Sequence, residues 1–133
     1  MNRLIATITA REESGPVVLL ETRFDEARLS VLVLDAHDGR YGTGQQVDLL
    51  FNENEVMVST DASPALSVVN RLPAIVQSVD FDGVLCRVGL KTGSAILRAL
   101  MTRRSSEILR LRDGMQVTAL IKPSAIIIEE RAP

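Results

Sequence analysis

The chain repeats itself, and this internal repeat limits its possible folds more than any other feature of the sequence. Asn2-Arg3-Leu4 returns as Asn70-Arg71-Leu72, a shift of 68 positions. The same shift aligns three further identical pairs, Gly15/Gly83, Ala27/Ala95 and Leu29/Leu97. A two-residue deletion in the first copy, within 35–43, then changes the shift to 70, which aligns Gly44/Gly114 and Val47/Val117. Chance similarity between β-rich segments is the alternative. The ordered identities instead predict two copies of one module, residues 1–60 and 67–133, joined by a linker at 61–66.

Each copy has the pattern of short strands separated by turn residues. We predict strands in the first copy at 3–12, 17–23, 28–34, 46–51 and 55–59. We predict strands in the second copy at 71–79, 84–90, 95–101, 115–121 and 125–129, with a turn at Asp80–Gly83. Hydroxyl residues and an early Glu predict a short helix that starts near Thr102 and ends before Leu111–Gly114. The matching segment of the first copy contains too much Gly for a helix.

Five short strands with one helical turn before the fourth predict a mainly β fold. We expect two tandem five-stranded barrels, partly open and similar to the oligonucleotide/oligosaccharide-binding (OB) fold, each with at most one short helix. Aromatic residues make up 3% of the chain and Trp is absent, so the core should be aliphatic. A module of this size buries little surface alone. The copies should therefore pack together, and the chain should form a homo-oligomer, a dimer or a trimer.

Composition and charge argue against several classes of function. The sequence has no run of eighteen apolar residues and no signal-peptide pattern, which predicts a cytoplasmic protein without a membrane span. A formal net charge of −2 and few aromatic residues disfavour nucleic acid as a partner. Cys86, the single cysteine, should be a buried apolar residue. His37 would need further ligands to hold a metal. We find no catalytic constellation and expect a binding protein, not an enzyme.

Four segments of the second copy stand in a recognisable order: Ser67-Val68-Val69-Asn70-Arg71-Leu72, Met101-Thr102-Arg103-Arg104-Ser105, Leu109-Arg110-Leu111-Arg112-Asp113-Gly114 and Val117-Thr118-Ala119-Leu120-Ile121-Lys122-Pro123-Ser124-Ala125-Ile126. Together they resemble the Mop domain, the molybdate-binding branch of the TOBE domains. The first copy matches more loosely. Two tandem copies resemble the di-Mop arrangement of cytoplasmic molybdate-storage proteins, molybdate-responsive regulators and some importer ATPases. Without a helix-turn-helix or a phosphate-binding loop, the chain resembles the stand-alone version.

The resemblance implies a ligand, molybdate or tungstate, and the residues that bind it. These tetrahedral dianions only accept hydrogen bonds, so a site needs N–H groups, hydroxyls and cations. The start of the predicted helix would add N–H groups and partial positive charge. In the family the anion lies where modules meet. The implied oxyanion-binding residues are Ser67, Asn70, Arg71, Thr102, Ser105, Lys122 and Ser124.

Each of these residues also has an ordinary structural interpretation. Thr102 and Ser105 could cap a helix, Asn70 could bind a backbone group, and Lys122 could be solvated. The first copy departs from the family pattern, with Leu34 in place of Thr102 and Asn52 in place of Lys122, so we expect it to be degenerate. In the second copy the family's opening Arg is Val69. Two functions remain open: oxyanion binding for storage, homeostasis or sensing, and a dimerisation or regulatory module with a degenerate site.

Overall fold

The computed structural model of the protein describes residues 1–34 and 40–131, which form two five-stranded antiparallel sheets. The strands are β1 Asn2–Ser14, β2 Val17–Phe24, β3 Ala27–Leu34, β4 Gln46–Phe51, β5 Met57–Ser59, β6 Asn70–Asp82, β7 Leu85–Thr92, β8 Ala95–Thr102, β9 Gln116–Ile121 and β10 Ile127–Glu130. One helix, α1 Arg103–Leu109, follows β8, and 3₁₀ turns at Glu53–Glu55 and Pro123–Ala125 precede β5 and β10. The strands follow the period-2 alternation of apolar residues, as in β1, where Leu4, Ala6 and Ile8 are buried.

The two halves of the chain exchange their last strands. The first sheet has the order β10-β4-β1-β2-β3, and the second has the order β5-β9-β6-β7-β8. Ile127 of β10 pairs with Leu50, and Met57 of β5 pairs with Leu120. Neither half, cut at the linker, therefore contains all five strands of its sheet. The predicted boundaries 1–60, 61–66 and 67–133 remain a prediction about separable units.

The sheets repeat one another in detail, which agrees with the duplication predicted from the sequence. β1 pairs with β2 and β4 as β6 pairs with β7 and β9. The register of the first hairpin shifts between Ile8 and Ala10, and that of the second shifts between Val76 and Ser78, 68 positions later. A bulge bends a strand and increases its twist, so each long strand can serve two neighbours in a curled sheet.

The predicted mainly β fold is confirmed, and the core is mainly aliphatic, with Phe24, Tyr41 and Phe51 also buried in it. In the first sheet the outer strands β3 and β10 contact one another without forming a ladder, which gives a partly open barrel. Buried Leu, Ile, Val and Ala side chains of both sheets form one core cluster. Cys86 is fully buried within it, as expected.

Two local predictions were wrong. Asp80–Asp82 continue β6 because Asp82 still pairs with Leu85, and the turn is limited to Gly83 and Val84. The last strands begin at 57 and 127, two residues later than predicted, because 3₁₀ hydrogen bonds such as Ala125 N to Lys122 O occupy the preceding residues. The prediction for the helix is confirmed: α1 ends at Leu109, before Leu111–Gly114, because Arg110 takes the left-handed conformation, with φ of 54°.

The two copies meet at unequal turns. Asp25, in the β2–β3 turn, accepts hydrogen bonds from Ser94 N at 2.9 Å and Ser94 Oγ at 3.0 Å in the β7–β8 turn. Gly93 occupies the position that matches Asp25 at the 68-residue shift, and a Cβ there would lie 2.2 Å from Asp25 Oδ2. The carboxylate of one copy therefore fills space that the other copy leaves free.

We expect Gly93→Ala to lower the free energy of unfolding by about 2–4 kcal/mol, because alanine disfavours the φ of 53° and displaces the Asp25 carboxylate from Ser94. Gly83→Ala is the matched control, since Gly83 has a φ of 62° and a Cβ there would have no described atom within 4 Å beyond the adjacent residues, and it should lose about 1–2 kcal/mol. Urea unfolding measures both. In an Asp25→Ala background the excess loss should disappear; an excess that persists there would contradict this account.

Candidate anion-binding site

Lys122 and Ser124 lie at one end of the second sheet, which we call the lysine end. Lys122 follows β9 and precedes the 3₁₀ turn that contains Ser124, and this turn packs against β3 of the first copy. Both side chains are exposed, and so is Ser67, which lies just before β6. Within residues 1–34 and 40–131 none of these three side chains has a hydrogen bond or ion pair to the protein. Their donors are therefore free to bind an anion.

Asn70 lies at the same end but has a structural partner. Its side chain is 1% exposed. Asn70 Oδ1 accepts a hydrogen bond from Ser30 N at 2.7 Å, and Asn70 Nδ2 donates to Ser30 O at 2.9 Å. Asn2 forms the same pair of bonds with Arg98, each at 2.9 Å. The repeated Asn therefore joins each sheet to the outer strand of the other, and a direct contact of Asn70 with an anion stays a prediction.

Arg71 is also engaged by the protein. Its Nε donates to Val68 O at 2.9 Å, and its Nη2 donates to Leu66 O at 2.8 Å. These bonds hold the end of the linker against β6, close to Ser67. The guanidinium still contributes positive charge at the lysine end, but two of its five N–H donors are already used.

Thr102 and Ser105 lie elsewhere, at the start of α1, which we call the hydroxyl end. Thr102 Oγ1 accepts from Ser105 N at 3.1 Å, and the two hydroxyls are 2.8 Å apart. This is the helix-capping arrangement that was the alternative interpretation of these residues. α1 has only seven residues, and one of its free amides is satisfied by the cap.

The lysine and hydroxyl ends lie at opposite ends of β6. Asn70 pairs with Ile121, the neighbour of Lys122, whereas Asp82 pairs with Leu85, the partner of Thr102. β6 has 13 residues and spans up to about 40 Å along its length. The structure therefore groups Ser67, Asn70, Arg71, Lys122 and Ser124, and separates them from Thr102 and Ser105.

The ends also differ in what surrounds the donors. The 3₁₀ turn at the hydroxyl end carries Glu53 and Glu55, and Asn54 and Ser105 line a mostly apolar cleft of about 450 Å³. At the lysine end Val69 is 62% exposed where the family pattern has Arg, and Leu34 is 69% exposed where the second copy has Thr102. Asn52, the counterpart of Lys122, is exposed and makes no side-chain cap.

Sequence reasoning missed a buried acid in the first sheet. Asp48 lies between Arg3 and Arg131, whose Nη1 atoms are each 2.6 Å from one of its carboxylate oxygens. Arg131 follows β10, so this ion pair fastens the exchanged strand to the first sheet. The sequence contains little signal for this ion pair, because the residue that matches Asp48 in the second copy is Thr118 and the charged partners are far apart in sequence.

Other predicted features carry no site. His37 lies outside the described residues. Within residues 1–34 and 40–131, no group of three or more His, Cys, Asp or Glu side chains could hold a metal ion. None of the helices in the described part of the chain is long and apolar enough to cross a membrane. Arg103, at the start of α1, stacks 4.4 Å from the Phe81 ring centroid and contacts Glu107.

Comparison with known proteins agrees with this arrangement. Residues 66–128 match the TOBE domain. The chain is 35% identical over 127 residues to the molybdenum import ATP-binding protein ModC of Thiobacillus denitrificans, covering 93% of this chain and 33% of that protein. It is 31% identical over 81 residues to ModC of Mesorhizobium japonicum, covering 60% of this chain and 22% of that protein. The chain thus spans at most a third of these relatives.

A solved structure shows the same fold over nearly the whole chain. The cytoplasmic molybdate-binding protein ModG, crystallised with molybdate bound, superposes with a TM-score of 0.92 at 21% sequence identity. The match covers 98% of this chain and 96% of ModG. At this identity the likeness shows the tandem fold alone. The match to the TOBE domain family is carried by residues 66–128, a little under half of the chain.

Proposed function

We propose that this protein binds molybdate, and the related dianion tungstate, without catalysing a reaction, as a cytoplasmic store or sensor. The observation that supports it best is the lysine end, where Ser67, Lys122 and Ser124 present donors that the described protein does not use. These are residues that the resemblance to Mop domains assigns to the anion. ModG, with the same fold, is a molybdate-binding protein, and the two relatives named above are molybdenum import ATP-binding proteins.

The charge of the chain supports an anion site in its second half. Residues 67–133 contain ten basic and six acidic residues, whereas residues 1–60 contain five basic and ten acidic residues. The net charges are therefore +4 and −5. A local positive potential raises the concentration of an anion at the second copy although the chain as a whole is weakly acidic.

We propose further that a second molecule of the same chain completes the site. Thr102 and Ser105 are far along β6 from Lys122. The full set of donors therefore forms only where two molecules meet. Both ends expose large apolar side chains that a neighbour could cover, such as Leu34 and Val69 at the lysine end and Ile108, 70% exposed, at the hydroxyl end. Large exposed apolar patches mark protein–protein interaction sites, and an assembly of this kind would cover these side chains.

Calorimetry with molybdate, tungstate and sulfate tests the binding proposal. We expect heat with the first two anions at tens of micromolar protein and a weaker response to sulfate. Absence of heat would refute anion binding and leave the alternative function, a non-enzymatic dimerisation or regulatory module with a degenerate site. Measuring the mass in solution with and without anion tests whether the site requires assembly.

Lys122→Ala should weaken molybdate binding by roughly 10–100-fold, because it removes a charge-assisted hydrogen bond worth about 1.5–3 kcal/mol. Asn52→Ala, at the matching position of the first copy, should change the dissociation constant little. Calorimetry of both variants measures the difference. Equal losses would contradict the assignment of the site to the second copy.

A further inference from the structure

Two arginines of the first copy lie directly opposite one another on neighbouring strands. Arg23 in β2 and Arg28 in β3 are partners in the antiparallel ladder, and both side chains are exposed. The Cβ atoms of such partners are about 4.5–5.5 Å apart, and like charges placed directly opposite destabilise the pair. A nearby negative charge would offset this repulsion.

The described part of the protein does not supply that charge by direct contact. Arg23 Nε donates to the carbonyl oxygen of Asp25 at 2.9 Å, and within residues 1–34 and 40–131 Arg28 has no hydrogen bond or ion pair. The neighbouring acid is Glu21, whose Oε2 accepts from Ser30 Oγ at 2.7 Å. Both guanidinium groups thus keep N–H donors free for a ligand.

A cleft of about 400 Å³ lies beside the pair, lined by Thr9, Ala10, Glu21, Arg23 and Arg28. The bulge between Ile8 and Ala10 shapes its wall. Thr9 Oγ1 already donates to the Glu21 carbonyl oxygen at 3.2 Å, so the two arginines are the main donors. The volume of the cleft lies at the lower end of the range for small-molecule sites, roughly 300–1,000 Å³.

The second copy shows that the fold does not require this arrangement. The positions that match Arg23 and Arg28 are Lys91 and Ile96, which are partners in the same hairpin. Gly89 stands in place of Glu21. The duplicated scaffold therefore forms the same hairpin with a single cation, and the second arginine is a feature of the first copy alone.

We propose that Arg23 and Arg28 form a second anion site that binds one phosphate group, either as inorganic phosphate or as the phosphate monoester of a small molecule. Arginine presents parallel N–H donors that match a phosphate. The Glu21 carboxylate beside the pair repels further negative charge, which favours a single phosphate over a polyphosphate. The site lies in the first copy, apart from the lysine end, and does not depend on the molybdate proposal.

Thermal unfolding in a buffer without polyvalent anions tests this site. Inorganic phosphate and glycerol phosphate, added in separate arms, should raise the melting temperature of the native chain by roughly 5 °C when well above the dissociation constant. A rise with either compound supports the proposal and identifies the form of the ligand. Excluded anions also stabilise proteins generally, so variants supply the comparison.

Arg28→Ile, which recreates the Lys91–Ile96 type of pair, should abolish the specific rise and increase the melting temperature without anion, since the repulsion is removed. Lys91→Gln, the matched change in the second copy, and Lys122→Ala, at the lysine end, should both keep the full rise. Equal rises in the native chain and Arg28→Ile, or no rise in the native chain, would overturn the proposal. Neither result bears on molybdate binding.

Discussion

Cleaving the chain within the linker should yield two fragments that do not fold as separate monomers. Residues 1–62 would keep β5, whose partner β9 is in the other fragment, and residues 63–133 would keep β10, whose partner β4 is lost. In each fragment the sheet would lose an outer strand, and the part of the core that this strand covers would become exposed to solvent. The expected result is two unfolded or self-associated fragments that form a folded 1:1 complex when mixed.

A protease site inserted at Ala62–Ser63 makes this measurement possible, with the uncleaved chain as control. Circular dichroism follows folding, and sedimentation gives the mass of the fragments and of their mixture. The cleaved pair should remain associated and folded at micromolar concentration. A fragment that is monomeric and folded on its own would show that the exchanged strands are dispensable, and would support 1–60 and 67–133 as independent domains.

Asn70→Ala should lower the free energy of unfolding by about 2–4 kcal/mol, since it removes two hydrogen bonds and leaves the N–H and C=O of Ser30 without partners. Asn2→Ala should cause a similar loss through Arg98. Asn52→Ala is the control, because this Asn is exposed and makes no side-chain cap, and should change stability by less than about 0.5 kcal/mol.

Urea unfolding with and without molybdate separates the two roles considered for Asn70. A structural role predicts the full loss in the absence of anion. If the loss appeared only with molybdate present, Asn70 would be an anion ligand and the structural account would be wrong.

The sequence predicted most strands and the helix because these elements depend on local patterns. Alternating apolar residues specify the strands, Gly83 specifies a tight turn, and Thr102 with Ser105 specifies the start of α1. The order of the four segments between Ser67 and Ile126 was enough to predict the resemblance to the family. These signals are read from neighbouring residues, and tertiary packing did not override them.

The exchange of strands could not be predicted in the same way. β4 and β9 have the same pattern of apolar residues, and either could pair with β5 or with β10. The periodicity of the sequence therefore does not tell which of the two strands each last strand joins. The choice depends on the path of the 3₁₀ turns at Glu53–Glu55 and Pro123–Ala125 and on distant contacts such as Arg131 with Asp48. The same limit applies to the candidate site, because the sequence does not tell which of its residues lie near Lys122 and which lie at the other end of β6.

The exchange has a consequence for how such a chain could arise and behave. An unlinked module of this design would finish its sheet only by trading its last strand with a second molecule, so its folding would weaken on dilution. The linker turns that encounter into an intramolecular one, with an effective concentration near the millimolar range for short flexible tethers. Once joined, the halves no longer need identical sequences. One half can then acquire Asp25 and the other Gly93. The two halves thus form the equivalent of a permanent heterodimer within one chain.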